Sequence, residues 1–336
     1  MGTTVKASLA FFILVGSIIT AGLPLVAEAQ APTKAARVGW MSRAGPTAKD
    51  ANLGAFHQGM RELGHVEGQT YVIEPRYAGG KIELMPEQAA ELERSGVAAI
   101  IAGPFEALIA AKQSTSRVPI IMTPSADPVA MGVLKNPNRP EGNITGITEM
   151  MPELTPQRLQ LLKQIAPTLS RVAILWSPGT LTEDTFKKML KETQTTARSI
   201  GVEIQVVEAA KVEDFDAAFS AMAKERADGL IVLVNPMFNV QRQRIIERAA
   251  KHRLPAIYEW KPFVQSGGLI SYGADVPDIY RRTAGFVDKI VKGAKTADLP
   301  VEGPKLFDMS VNLKAAKALG VTIPDSIVKQ AVLVIE

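Results

Sequence analysis

The feature that most constrains this chain of 336 residues is an alternation of strand and helix patterns that occurs twice. Residues 37–122 and residues 171–258 each read strand, helix, strand, helix, apolar strand, helix, and a short strand led by proline. Strands that alternate with helices of this length form βαβ units and parallel sheets. The sequence therefore predicts an α/β protein with two similar lobes, and the chain is long enough for each lobe to bury its own core.

The same patterns assign most of the chain to individual elements. The predicted strands span residues 37–40, 71–77, 97–102, 119–122, 171–176, 202–207, 229–234, 255–258, 268–272 and 306–311. The predicted helices span residues 51–63, 84–94, 105–113, 155–165, 183–199, 214–224, 275–291 and 313–319, with one more that follows the turn at 235–238 and ends at 251. Residues 293–304 are rich in Gly, Pro and small residues and predict a linker, and the tail 327–335 is expected to dock on a lobe.

The N-terminus has the pattern of a secretory signal peptide. Lys6 provides a positive charge, residues 7–19 are apolar, and Ala27-Glu28-Ala29 matches a small-x-small cleavage site. We expect export with cleavage near Ala29. The alternative is an N-terminal membrane anchor, for which the apolar run is short.

Charge and cysteine content narrow the function classes. The net charge is only +4, and no run of Lys and Arg interleaved with aromatics is present, which argues against nucleic acid as a partner. The chain has no cysteine, which excludes a disulfide, a thiol nucleophile and a lipid-anchored cysteine. An exported protein without disulfides is consistent with the bacterial periplasm.

No arrangement of residues predicts catalysis, a metal site or a cofactor. The three histidines, His57, His65 and His252, lack the spacing of metal ligands and are expected at the surface or in packing. There is no His-Glu-x-x-His, no G-x-S-x-G elbow and no Walker A loop. We therefore predict a binding protein, and not an enzyme.

The candidate ligand contacts lie where predicted strands end. The carboxyl ends of parallel strands face the crevice in which ligands bind, so the loops after the strands are the best candidates. From the first half these residues are Trp40, Ser42, Arg43, Gly103, Pro104, Phe105, Glu106, Thr123, Ser125 and Asp127. From the second half they are Trp176, Ser177, Asn235, Met237, Phe238, Tyr258, Glu259, Trp260, Tyr272 and Asp275.

These side chains have different potential roles. All three tryptophans fall at strand ends, which predicts an aromatic-lined pocket, although tryptophan more commonly fills a core. Thr123, Ser125 and free backbone N–H groups at helix starts could bind a ligand carboxylate. Glu106, Glu259 and the two aspartates could pair with an ammonium group. The alternative for Asp127 and Asp275 is that they cap the turn and the helix that follow them.

Several motifs together resemble a known family. They are F-H-Q-G-M-R-E-L-G-H-V-E-G-Q at 56–69, Asp127-Pro128, R-P-E-G-N-I-T-G at 139–146, L-P-A-I-Y at 254–258 and G-L-I-S-Y-G at 268–273. As a set they resemble the ABC-transporter substrate-binding proteins of the tryptophan/tyrosine-type (TrpX-like) family, over nearly all of residues 37–336. Two positions depart from the family pattern. The loop at 103–106 lacks the usual Gly-Thr/Ser-Pro character, and Asn235 stands where an aspartate is common.

The resemblance implies a type I periplasmic-binding-protein fold, with two Rossmann-like lobes that have parallel sheets, three crossing strands that join them, and a ligand in the cleft between them. It implies residues 37–146 plus 273–302 for lobe I and residues 147–272 plus 303–336 for lobe II.

The function that follows is a periplasmic solute receptor of an ABC importer, which binds an amino acid or organic acid, with an aromatic or apolar part, by hinge closure. We expect a monomer that delivers its ligand to an ABC permease in the inner membrane. One alternative is the ligand-sensing part of a transcription regulator or sensor kinase, and the other is a periplasmic enzyme on the same scaffold.

Overall fold

The computed structural model describes residues 35–45, 50–103, 105–124, 127–149 and 152–336. The predicted signal peptide lies outside these residues, as do Pro104 and Ser125. Within the described ranges, no helix is both long enough and apolar enough to cross a membrane.

A five-stranded parallel sheet forms the centre of the first lobe, in the order β2-β1-β3-β4-β5. The two central strands β3 and β4 are buried at every position, as expected of apolar strands covered on both faces. The strands are β1 (Ala36–Ser42), β2 (Tyr71–Tyr77), β3 (Ala99–Ala102), β4 (Ile120–Met122) and β5 (Ile144–Gly146).

Three helices connect these strands: α1 (Ala51–Glu62), α2 (Met85–Ser95) and α3 (Phe105–Ser114). The carboxylate of Asp50 begins α1 by accepting hydrogen bonds from the backbone N–H groups of Asn52 and Leu53. Gly96 ends α2 in the left-handed conformation, with φ of 74°, which costs glycine little.

The second lobe is built on a seven-stranded sheet in the order β12-β11-β10-β9-β8-β6-β7. All neighbouring strands are parallel except β10 and β11, which are antiparallel. The strands are β6 (Arg171–Trp176), β7 (Glu203–Glu208), β8 (Gly229–Val232), β9 (Ala256–Tyr258), β10 (Ile270–Ala274), β11 (Phe307–Asn312) and β12 (Leu333–Ile335).

The helices from residue 155 onward complete both lobes. They are α4 (Thr155–Ile165), α5 (Glu183–Ser199), α6 (Phe215–Lys224), α7 (Pro236–Val240), α8 (Arg242–Lys251), α9 (Lys261–Gln265), α10 (Val276–Val291), α11 (Leu313–Leu319) and α12 (Asp325–Val328). Short 3-10 turns occupy Ile82–Leu84, Pro152–Leu154, Val212–Asp214 and Thr296–Asp298.

The chain passes between the lobes three times: after β5, after β10 and before β11. After β10 it returns to the first lobe, where Ile279 and Tyr280 of α10 share a core with Val38 and Phe56. The passing segments are hydrogen-bonded to one another. Thr148 N–H donates to the carbonyl of Glu302, and Asp275 N–H donates to the carbonyl of Leu306.

Inside the second lobe, a buried ion pair joins α4, the helix after the first crossing, to the residue after β9. Arg158 of α4 places Nη1 3.2 Å from Oε1 of Glu259, and the two side chains are 1% and 5% exposed. Arg158 Nε also donates to the carbonyl oxygen of Tyr272 at 2.8 Å. Burial raises the pKa of Glu259, an effect that the charge of Arg158 opposes, and burial lowers the pKa of Arg158. Helix α4, which follows the first crossing, is thus held to the end of β9 and to the middle of β10, the strand before the second crossing.

The structure confirms the α/β fold with two parallel-sheet lobes and differs in detail. The expected single helix ending at 251 breaks at Gln241 into α7 and α8, and α9 was not predicted. The pairing of β10 with β11 is antiparallel, because the chain enters β11 from the first lobe, at the end of the sheet where β10 finishes. The tail docks as β12, parallel to β11.

The contact between α1 and α10 predicts opposite effects of two glycine substitutions. A Cβ atom at buried Gly59 would lie 2.0 Å from the carbonyl oxygen of Arg281, whereas one at exposed Gly54 would meet nothing within 4 Å. We expect Gly59→Ala to lower the free energy of unfolding by about 1–3 kcal/mol. Gly54→Ala, its control on the same helix, should raise it by up to about 1 kcal/mol. Urea unfolding of both variants tests this, and equal shifts would contradict the close approach.

The buried pair predicts a large loss when one partner is removed. Arg158→Met leaves the Glu259 carboxylate in the interior without its cation, so we expect the free energy of unfolding to fall by about 3–5 kcal/mol. Adding Glu259→Gln to this variant should restore part of the loss. Arg117→Met is the control, because Arg117 is 85% exposed in its pair with Glu93 and should leave the unfolding midpoint unchanged. An Arg158→Met variant as stable as the control would show that the pair does not hold the segments.

Candidate functional site

One cleft lies where the carboxyl ends of strands from both sheets meet, and its volume is about 180 Å³. The first lobe contributes the loop after β1, the start of α3, the second residue after β4 and the start of α10. The second lobe contributes α7, the loop after β9 and the start of α9, and the first crossing contributes Glu149. The lining residues are Arg43, Phe105, Glu106, Pro124, Glu149, Pro236, Asn239, Trp260, Pro262 and Val276. This is the position at which open α/β sheets bind ligands.

Glu149 lies in the segment that crosses after β5, and its carboxylate faces the second lobe. Trp260 Nε1 donates a hydrogen bond to Glu149 Oε2 at 2.9 Å. Burial raises the pKa of Glu149 to about 8; the hydrogen bond from Trp260 acts in the opposite direction, and the nearby charge of Glu259 raises the pKa further. At neutral pH the carboxyl group is therefore mostly protonated in the empty cleft.

Two other charged groups in the cleft belong to the first lobe and pair with each other. Arg43 follows β1 and Glu106 lies in the first turn of α3, with 3.4 Å between Nη1 and Oε1. Both side chains are partly exposed, so a ligand carboxylate could recruit the guanidinium at small cost. Phe105 provides an apolar wall beside them.

The short helix α7 brings an amide into the cleft. Asn235 begins this helix by accepting hydrogen bonds from the N–H groups of Met237 and Phe238, and it donates to Thr180 Oγ1 at 2.9 Å. One turn later, Asn239 lines the cleft, and its buried Oδ1 has no hydrogen-bond partner among the described residues. A buried acceptor without a donor is costly, and a ligand N–H group could supply the missing bond.

The predicted contact residues fall into distinct groups. Arg43, Phe105, Glu106 and Trp260 line the cleft. A second cavity of about 10 Å³, with room for about one water molecule, is lined by Trp176, Ser177 and Glu259 among others. Pro104 and Ser125 lie outside the described residues.

The prediction that all three tryptophans line one pocket is wrong, because only Trp260 does so. Trp40 is 2% exposed and packs in the first-lobe core against Phe56 and Tyr280, with ring centroids 6.0 and 5.3 Å away. Trp176 stacks on Phe186 at 3.8 Å. Two of the three therefore serve mainly in packing.

Other predicted contacts are also buried away from the cleft. Tyr258 stacks on Phe263 in the second-lobe core, where Phe238 is fully buried and Met237 packs from the edge. Tyr272 packs against Phe307 and offers its carbonyl to Arg158. In the first lobe, Thr123 is buried beside Thr283, and Gly103 lies against the Thr123 carbonyl, where a side chain would not fit.

The remaining predicted contacts stabilise local backbone. Asp127 Oδ1 accepts hydrogen bonds from the N–H groups of Val129 and Ala130, and Asp275 Oδ1 accepts one from Asp278. Ser42 Oγ likewise accepts from the N–H of Ala44. Like Asn235, these residues cap the local backbone. For Asp127 and Asp275, capping is the alternative role given in the sequence analysis.

Sequence reasoning missed six residues that line the cleft: Pro124, Glu149, Pro236, Asn239, Pro262 and Val276. Pro124 and Pro236 lie inside strand-end loops that were predicted to face the cleft, but only their neighbours were named as contacts. Glu149 and Asn239 lie in a crossing segment and within a helix, and neither position carries a motif that points to the cleft.

A family model for ABC transporter substrate binding proteins matches residues 45–335. A tyrosine-binding protein from Clostridioides difficile (strain R20291) is 22% identical over 210 residues, which is 62% of this chain. The match spans 59% of the length of that curated relative.

Solved structures share the fold. One is an ABC domain in complex with L-Trp from Streptococcus pneumonia, with 23% identity, a TM-score of 0.71, and coverage of 90% of this chain and 100% of that one. Another is the ligand-free, open structure of a substrate-binding protein with adhesive properties from Clostridium difficile, with 21% identity, a TM-score of 0.69, and coverage of 89% and 99%. With the family model covering most of its length, the chain belongs to the ABC transporter substrate-binding protein family.

Proposed function

We propose that the protein is the solute receptor of an ABC importer and that it captures its ligand in the cleft described above. The observation that carries the proposal is the composition of that cleft. Arg43 and Glu106 approach from the first lobe and Asn239 and Trp260 from the second, so one solute could touch both lobes. Membership of the substrate-binding family supports the same role.

The size and lining of the cleft favour a small solute with both an apolar body and a charged group. A cavity of about 150 Å³ can hold benzene, so about 180 Å³ offers room for a ring. Phe105, Trp260 and the prolines supply apolar walls, while Arg43 supplies positive charge. The solute is thus an amino acid or an organic acid with an aromatic or apolar part. The tyrosine-binding relative and the L-Trp complex support an aromatic amino acid.

The proposed mechanism is closure of the two lobes about the three crossings. Residues 37–146 plus 273–302 move as one lobe, and residues 147–272 plus 303–336 move as the other. A solute that contacts both lobes favours the closed state by its greater affinity for that state. The hydrogen bond between Trp260 and Glu149 links the second lobe to a crossing segment at the cleft itself.

We also propose where the protein acts and which partner receives its solute. The chain is exported, with its N-terminal segment removed near Ala29, and acts in the periplasm as a monomer. It delivers the unaltered solute to an ABC permease in the inner membrane. The family is one of binding proteins, which supports a role without catalysis.

Trp260 provides the direct test of the cleft. Trp260→Ala removes an aromatic wall and the hydrogen-bond donor to Glu149, so we expect affinity for L-tryptophan or L-tyrosine to fall by about 30-fold or more. Isothermal titration calorimetry measures the change, and circular dichroism checks that the variant is folded.

Val240→Ala is the matched control, because Val240 follows Asn239 on α7 but is 51% exposed. It should bind as the unaltered protein does. Unchanged affinity in the Trp260→Ala variant would contradict the assignment of the cleft, and a lack of binding to any aromatic amino or organic acid would contradict the proposed solute class.

A further inference from the structure

Glu149 is the carboxyl group in the cleft that lacks a cation. Its Oε2 accepts a hydrogen bond from the neutral indole of Trp260. Among the described residues, no lysine, arginine or histidine forms an ion pair with it. A partly buried carboxylate without a cation is unfavourable, so this position is suited to a positively charged group supplied by a ligand.

The charged groups around Glu149 are already matched with one another. Arg43 pairs with Glu106, and the neighbouring carboxylate Glu259 is compensated by Arg158. Tyr280 faces Glu149 from α10 and stays neutral, because burial raises the pKa of its hydroxyl far above the ordinary value. Among the described residues that line the cleft, one potential negative charge is thus in excess, and it belongs to Glu149.

Asn239, which lines the same cleft, has an unsatisfied acceptor. The buried Oδ1 of Asn239 has no donor among the described residues. A carboxylate and an amide oxygen together match an ammonium group, which has three N–H donors and no acceptor. A carboxylic acid without an amine would leave the Asn239 oxygen without a donor and the Glu149 carboxylate without a cation.

We propose that Glu149 and Asn239 bind the ammonium group of the solute, which makes the ligand an amine-bearing acid and not a simple organic acid. The inference rests on the proposed function and narrows its solute class. The apolar walls then hold the side chain of the solute, and Arg43 is the available cation for its carboxylate.

Binding of an ammonium group should release a proton. Burial raises the pKa of Glu149 to about 8, so the empty cleft holds a protonated carboxyl at pH 7. The arriving ammonium stabilises the carboxylate, and the proton of the carboxyl leaves to the buffer while the amine keeps its own three. Each binding event at pH 7 should therefore release close to one proton.

The test is titration calorimetry at pH 7 in two buffers of different ionisation enthalpy. The ligands are L-tryptophan, L-tyrosine and L-phenylalanine, each compared with its deaminated counterpart: 3-(indol-3-yl)propionate, 3-(4-hydroxyphenyl)propionate and 3-phenylpropionate. We expect the amino acid to bind at least 10-fold more tightly than its counterpart and to release a proton, whereas the counterpart releases none.

Glu149→Gln keeps the shape of the side chain and removes its charge. It should weaken binding of the amino acid at least 10-fold, abolish the proton release and leave the affinity for the deaminated acid unchanged. Glu141→Gln, at an exposed position, is the control. It should change neither the affinity for the amino acid nor the proton release.

Failure of this inference can be distinguished from failure of the proposed receptor function. Amino acid binding without proton release, unaffected by Glu149→Gln, would overturn the role of Glu149 and leave the receptor function standing. Binding of a deaminated acid as tight as that of its amino acid would overturn the amine requirement. No binding of any of the six compounds would overturn the proposed function and this inference with it.

The pH dependence of stability in the ligand-free protein provides a second test. The folded state keeps the proton of Glu149 up to about pH 8, whereas the unfolded chain releases it near the ordinary value of 4.5. The folded state then holds more protons in this interval, so its stability should fall as pH rises through it. The melting temperature should decline more between pH 5 and pH 9 in the unaltered protein than in the Glu149→Gln variant, and parallel curves would contradict the protonated carboxyl.

Discussion

The buried contact between Arg158 and Glu259 is the constraint on which the geometry of the cleft depends. The guanidinium neutralises a carboxylate that the interior would otherwise not tolerate, and it donates to the Tyr272 carbonyl in the middle of β10. Its helix begins just after the first crossing, and Tyr272 lies just before the second. Because Trp260 follows Glu259 directly, this interaction also fixes the base of the loop that presents the indole to the cleft.

The cleft contains charged groups that pair with each other, and also polar groups that have no such partner among the described residues. Arg43 and Glu106 are exposed enough to exchange partners at small cost. Glu149 is partly buried and has no cation among the described residues, and the buried amide oxygen of Asn239 has no donor among them. Because these groups lack partners, they lower the stability of the ligand-free protein. They contribute to the free energy of binding when a ligand supplies the missing donor or cation. The arrangement suits a receptor that must bind a polar solute selectively and then release it.

Local patterns predicted the elements well and the cleft only in part. The bounds of β6 and α5 follow directly from an apolar run and from a helix with acidic residues in its first turn. Trp40 was misassigned because position at a strand end does not specify the face of the sheet, and its partner Tyr280 comes from a helix that returns much later in the chain. Glu149 was missed because its defining partner, Trp260, is 111 residues away. Contacts set by a crossing of the chain leave no periodic signal in the sequence.

The central claim is that the solute bridges the lobes in this cleft with its ammonium group on Glu149. The most direct measurement is a crystal structure of the protein with the aromatic amino acid that it binds most tightly. The account predicts the amine nitrogen within about 3.2 Å of the Glu149 carboxylate, the ring of the solute against Trp260, and contacts from both lobes. An amine that faces another group, or a solute held outside the residues that line the cleft, would contradict it.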